Sequence, residues 1–499
     1  MTTTEIMDFD TTNIDLAASF IYFVYPFTFD SNQFDSLTRA GDEAVISRQT
    51  QPNKEQECRA AWEKLSFPEE ELLFHVANYL KPGENSSCTA RFWQSSALLH
   101  QSFGFSHSYD WQLVYPNGEI SFVFGEENKA TKVVQLMLFR VGVGFVTVKA
   151  QPKSDRVNDW LKFIHYFRFL RGQRGTHLNA QRRTGFNPDN RETQLDIYFP
   201  EIAGGKASYQ DGKPTLGNLL TTILSTLGST QWWQEVFVPG KMLPFAAIYA
   251  DGLPYQHIYH LLYKLQNFFH DQQGQHPAPE NLDPQAQPWL TYALRQWFVF
   301  TLEGGSFLAV DAPNPEFFRT TLPNHLQTQY FLLFLLALHQ RFALMSLSAQ
   351  VADSWVTDGA TRLRRFEAIR DRLLLFTARG YFTQVMQREN HHRCYRQWQK
   401  VFQLETLYQE ISEEVQEMHE YVQTRQNQNL ERTIQVVGVA VGAGGIAASS
   451  TAGYIQQPIT FAYTGNIHPG FLALLASLAI GAIAGGITWW LTGWLKPGK

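Results

Sequence analysis

The chain has 499 residues, a formal net charge of −5 and three cysteines, Cys58, Cys88 and Cys394. That length admits two or three domains with a full-sized core, and so small a net charge removes any global attraction to nucleic acid, so no nucleic-acid partner is expected. Three cysteines this far apart exclude a disulfide framework and a cysteine-based zinc site, and they suit a reducing compartment.

The N-terminus, MTTTEIMDFD, is acidic. The apolar run at 16–27 has no basic flank and is too short to span a bilayer, so it reads as a buried strand rather than a signal peptide. Strands are predicted at 19–25, 119–124, 132–149, 195–199 and 245–250. Helices are predicted at 155–171, 216–227 and 255–271. Residues 1–320 are therefore expected to form an α/β cytoplasmic domain, with 271–289, rich in Gln, Pro and Gly, as a surface loop or linker. Arg171, Arg174, Arg182 and Arg183, with Arg191 further on, make a basic loop. A solvated loop is the plainer reading; a grip on an anionic ligand such as a nucleotide is the functional one. His257 and His260 share a helix face, where packing is the plainer reading.

Residues 330–338 are very apolar but are interrupted by His339, Gln340 and Arg341, so a core helix is expected there. No proline occurs between Pro323 and Pro458, which favours long helices over 321–432. Val401, Leu404, Tyr408, Ile411, Val415, Met418 and Val422 fall at 3-4 spacing, a heptad seam. It can pack on an antiparallel helix within 362–392, on another copy, or on both. The other faces carry Glu405, Glu410, Glu413, Glu414, Glu417 and Glu420, a solvated surface that could also bind regulatory divalent cations. With no breaker in sight, one helix from about residue 396 to 453 is expected, about 90 Å long. His391, His392 and Cys394 could ligate a metal, but a plain polar helix surface is the simpler reading.

From Thr433 to Leu495 there is no Asp, Glu, Lys or Arg. The apolar halves, 433–454 and 471–492, are each about 20 residues, the length a helix needs to cross a bilayer. Arg432 precedes the first, Lys496 and Lys499 lie in the tail 493–499, and the connection 455–470 has no charge. That asymmetry places both termini in the cytoplasm and the loop outside, with Trp489, Trp490 and Trp494 at an interface. Gly442 to Ala447 matches a GxGxxA pattern, but no strand–helix unit and no downstream acid accompany it, so a nucleotide loop is rejected. Gly438 with Gly442, and Gly481 with Gly485, are pairs that allow close helix approach in lipid. No nucleophile elbow, P-loop or HExxH is present, and an enzyme is not expected.

A cytoplasmic stalk helix running into the first of two C-terminal spans resembles the CorA-like metal-ion transporter superfamily, in particular a divergent bacterial subgroup with a large cytoplasmic domain. "LMLFRVGVGFVTVKAQ", "DWLKFIHYFRFLRG", "YFLLFLLALHQRFALMSL" and "ARGYFTQVMQRENHHRCYRQWQKVFQLETLYQEISEEVQEMHEYV" are similar to that subgroup. The resemblance implies a homopentamer in the inner (cytoplasmic) membrane, with the first span lining a pore and the second ringing it. No resident cofactor is implied; a divalent cation, magnesium among the candidates, would be the transported or regulatory ion. Transporting members carry Gly-Met-Asn at the end of the first span. Here Gly453-Tyr454-Ile455-Gln456-Gln457 stands in its place, and Tyr463-Thr464-Gly465-Asn466 is a faint substitute. The expected pore face is Gly442, Ile446, Ser449 and Gly453, with Asn427 and Asn429 at the inner vestibule and Tyr454, Thr464, Gly465 and Asn466 at the outer mouth. Two functions follow: a cation channel gated from the cytoplasmic domain, or a membrane-anchored effector that senses a ligand and perturbs the membrane.

Overall fold

The computed structural model describes residues 9, 12–48, 57–65, 67, 71–81, 89–105, 109–125, 133–172, 175–187, 192–198, 214–228, 231–236, 240–270, 276–314, 316–356 and 359–454, with 475, 478, 479, 482, 483 and 486. They fall in two compact units, one of Met1–Thr357 with Glu367–Ile411, the other of Asp358–Phe366 with Ser412–Lys499.

The first unit begins β1 (Asn13–Ile14), β2 (Phe20–Phe29), α1 (Phe34–Glu43), β3 (Val45–Arg48), β4 (Glu57–Ala60), β5 (Trp62–Lys64), α2 (Phe74–Leu80), β6 (Ala90–Ser95) and α3 (Ala97–Ser102). It continues through β7 (Tyr109–Tyr115), β8 (Gly118–Phe124), β9 (Val134–Phe139), β10 (Val143–Pro152), α4 (Val157–Phe167), β11 (His177–Asn187), β12 (Glu192–Tyr198), α5 (Leu216–Ser225) and β13 (Trp233–Glu235). Next come β14 (Leu243–Asp251), α6 (Ile258–Asn267), β15 (Trp289–Ala293), β16 (Gln296–Thr301), β17 (Gly304–Val310), α7 (Leu322–His325) and α8 (Phe331–Trp355). The helices α9 (Gly359–Arg379), α10 (Glu389–Val401) and α11 (Leu404–Tyr454) complete the described order.

One branched sheet carries the first unit, with the main path β12-β11-β7-β8-β10-β2-β14-β17-β16-β15. One edge of β10 is shared, with β9 along Val143–Val148 and β8 along Ala150–Pro152. Neighbours are antiparallel except β14 and β17, which run parallel with Tyr249 opposite Ala309.

The central strands are apolar at almost every position because helices cover both faces. On one face Phe23 meets Phe163 and Phe167 of α4, at ring separations of 5.9 and 4.6 Å. On the other Tyr22 stacks on Phe331 at 4.1 Å, Phe245 on Phe334 at 5.5 Å, and Phe300 meets Trp398 of α10 at 4.7 Å. Gly305 lies under that indole: a Cβ there would sit 2.8 Å from Trp398 Cζ2 and closer still to the ring tip.

Helix α8 is the core helix expected at 330–338. With the helical turns before it, Phe317–Trp355 is long and apolar enough to cross a membrane, yet 78% of its apolar window is buried in the unit. At the far end of the sheet Arg319 ties three segments together. Its guanidinium donates to Asp15 at 2.9 Å, to both Asp251 oxygens at 2.9 and 3.0 Å, and to the Ala312 carbonyl at 2.9 Å.

Two expectations are corrected. The single strand expected at 132–149 is the hairpin β9–β10. It turns at Gly142, whose φ of +92° is left-handed and whose Cβ would lie 2.6 Å from the Phe29 carbonyl oxygen, so glycine is needed there. The single helix expected from residue 396 is broken at Gln403, with φ +53°. Phe402 and Leu404 are both buried, Phe402 against Trp398 at 5.2 Å and beneath Arg341 at 5.0 Å. A left-handed residue between them lets both side chains reach the core.

In the second unit Phe366 of α9 is buried and meets Tyr421 of α11 at 6.2 Å. The seam is buried within the chain at Val415, Met418 and Val422, while Glu413, Glu414, Glu417 and Glu420 are exposed, as the 3-4 spacing predicts.

Candidate membrane segment and ligand-facing residues

Helix α11 changes character along its length. Up to Val422 one face is buried; beyond it, 423–425, 427, 428, 430–435 and 438 are all exposed. Leu430 and Ile434 are 63% and 60% exposed. A Cβ on Gly438 would meet nothing within 4 Å. Glycine inside an exposed helix costs about 1 kcal/mol relative to alanine in water, and nothing in the described chain requires it at this position. Gly486 is the same case. Leu475, Leu478, Ala479, Ala482, Ile483 and Gly486 are helical and exposed, and their 3-4 spacing puts them on one face. Apolar and small residues displayed this way suit an environment outside the chain: lipid, other helices, or both.

The sequence-predicted pore residues sit on this helix. Asn427 is exposed, and Asn429, Gly442, Ile446, Ser449, Gly453 and Tyr454 follow within α11. The 4-3-4 spacing of 442, 446, 449 and 453 gives them a common face. Thr464, Gly465 and Asn466 lie outside the described residues.

The basic stretch is differently built from the loop expected. Arg171 is exposed and pairs with Glu235 at 2.7 Å. Arg182 and Arg183 belong to β11, where Arg182 stands opposite Asp196 of β12 on one side and Tyr109 of β7 on the other. Arg174 and Arg191 lie outside the described residues.

On α10, His391 and Cys394 are buried rather than on a polar surface. They share the inward face with Tyr395 and Trp398, and the His391 ring lies 4.6 Å from that of Tyr330. Burial first, then Arg388 and His325, lowers His391 to about 4. Burial pushes the Cys394 thiol up, so it is not a ready metal ligand. His257 meets the Phe9 ring edge-on at 6.3 Å, a packing role. Among the described residues no group of three or more His, Cys, Asp or Glu could hold a metal ion. Sequence reasoning did not find the Arg319 cluster: its partners are far off in the chain and no local motif marks them.

No protein-family profile and no curated protein matches the chain. Among solved structures it is similar to the complete structure of the CorA magnesium transporter from Methanocaldococcus jannaschii, with 14% identity over 52% of this chain and 94% of that one, at a TM-score of 0.17. A superposition at that score carries no functional inference.

Proposed function

We propose that the chain is a CorA-like oligomeric membrane protein that passes divalent cations, magnesium among the candidates. In this reading 433–454 crosses the inner membrane and lines the path, 471–492 returns outside it, and both termini face the cytoplasm. Five copies form the ring, and the α/β unit gates it. The observation that carries the proposal is α11 itself. One unbroken helix joins a buried, acid-faced seam to a charge-free, glycine-rich stretch with exposed apolar side chains. The test is purification in detergent with a count of copies per particle, then reconstitution in liposomes. Steady divalent flux from a ring of copies supports the proposal; a single copy in the soluble fraction of broken cells sinks it.

A second reading is favoured by one observation: Gly453-Tyr454-Ile455-Gln456-Gln457 replaces Gly-Met-Asn, and the connection 455–470 has no Asp or Glu to gather cations. On that reading the protein is a ligand-responsive effector whose hairpin perturbs the membrane. Liposomes that stay silent until a nucleotide or other anion is added would favour it.

A further inference from the structure

The second unit carries two sets of unpaired opposite charges. On α11, Glu413, Glu417 and Glu420 are exposed at 4-3 spacing, half a turn round from the buried Val415, Met418 and Val422. On α9, Arg364 and Arg365 are exposed, and Arg364 lies about 200° round the helix from the buried Phe366. The glutamates and Arg364 therefore turn away from the seam between the two helices, and Arg365, 100° round from Phe366, lies exposed beside it. None of Arg364, Arg365, Glu413, Glu414 or Glu417 has an ion-pair partner among the described residues; Glu420 only accepts from Gln416 Nε2 at 3.3 Å on its own helix.

We propose that Arg364 and Arg365 of one copy clasp the Glu413–Glu417–Glu420 face of α11 in the next copy. This rests on the oligomeric reading above. The first turns of α9 lie level with Tyr421. Phe366 meets that ring at 6.2 Å, and Arg362 donates to its hydroxyl at 3.4 Å. Tyr421 is one residue from Glu420 and about one turn from Glu417. A rotation about an axis along α11 moves a copy sideways and leaves its height unchanged. The arginines of one copy then arrive level with the glutamates of its neighbour. The basic and acidic sets are complementary rather than identical patches, so in the ring of that reading the contact repeats head-to-tail from copy to copy. Exposed ion pairs add little affinity each, so the clasp sets register and partner choice more than tightness.

The test uses the full chain in native membranes, with Cys58 and Cys88 replaced by serine and the buried Cys394 kept. One tagged copy carries Arg364→Cys and a differently tagged copy carries Glu417→Cys. Mild oxidation is expected to link the two tags at least tenfold more than when the second copy carries Glu431→Cys, on the same face but further along the helix. Adding Arg365→Glu to the first copy is expected to weaken the link, and adding Glu420→Lys to the second to restore it. Equal linking at 417 and 431, or no link in a particle shown to be a ring, overturns the clasp alone. A single copy per particle overturns the clasp and the oligomeric reading together.

Discussion

The Tyr395 hydroxyl donates to Gln340 Oε1 at 2.9 Å, deep inside the first unit. The Gln340 amide in turn donates to the carbonyls of Gly380 at 3.3 Å and Phe382 at 3.1 Å, and so fixes the connection between α9 and α10 onto α8. Tyr395→Phe leaves Gln340 Oε1 without its donor. A loss of about 1–3 kcal/mol is expected, read as a lower urea midpoint. Gln340→Leu strips three partners and is expected to cost more, and the double variant less than the sum of the two.

Gly305→Ala should be poorly tolerated, because the added methyl meets the buried Trp398 ring and, at 3.0 Å, the Val299 carbonyl oxygen. Overpacking of this kind costs about 1–3 kcal/mol. Pairing it with Trp398→Leu should recover part of the methyl's own penalty. An unchanged melting temperature for Gly305→Ala alone would show that α10 does not press on the sheet as described.

At Gln403 the left-handed backbone carries a side chain, and its N–H donates to Lys400 O at 3.1 Å. Gln403→Gly removes the steric penalty of about 1–2 kcal/mol and adds back about 0.5–1 through unfolded-state entropy. A small rise in melting temperature is expected. Gln403→Pro can adopt neither the φ nor the hydrogen bond and should prevent stable folding.

Acid stability tests the buried histidines. The His339 ring stacks on Phe139 at 3.9 Å, Nε2 lies 2.8 Å from the Tyr79 hydroxyl, and burial lowers the group to about 3. His391 is lowered to about 4. Both folded values lie below the unfolded 6.5, so between them the unfolded chain binds more protons. The stability these rings contribute is complete above pH 6.5 and is lost as pH falls through that window. His339→Gln should flatten the decline in melting temperature from pH 6.5 to 4, whatever it does to stability at pH 7. An undiminished slope would count against a neutral buried ring.

Gly438 separates a helix in water from a helix packed in lipid. In water Gly438→Leu should stabilise α11, because none of the described residues occupies the space and glycine is the weaker helix former. If copies pack closely along this face, the same change should reduce assembly and flux. Blue-native electrophoresis beside a liposome flux assay reads both effects.

The sequence was most informative where burial follows a single period. The 3-4 spacing of Val415, Met418 and Val422 identified the buried face of α11, and the acidic residues between them its exposed one. Helix α8 was legible as core because it is apolar and then polar within too few residues to span. Turns hidden in apolar runs were not legible: Val141-Gly142 lies between two buried strands and reads as more of the same. Gln403 gave no sign either, since glutamine is a good helix former and the break is imposed by Phe402 and Leu404 from both sides. The Arg319–Asp251 pair joins residues whose nearness only the sheet creates.

The covering of the sheet by α8 and α10 has a consequence during synthesis. A nascent polypeptide that has emerged only as far as β17 displays Tyr22, Phe245 and Phe300 to water, without the cover that α8 and α10 later give them. Their cover leaves the ribosome just ahead of the oily tail. Biogenesis therefore has to shelter an aromatic half-core until α8 and α10 arrive, and truncation before α10 should yield inclusion bodies rather than a smaller soluble protein.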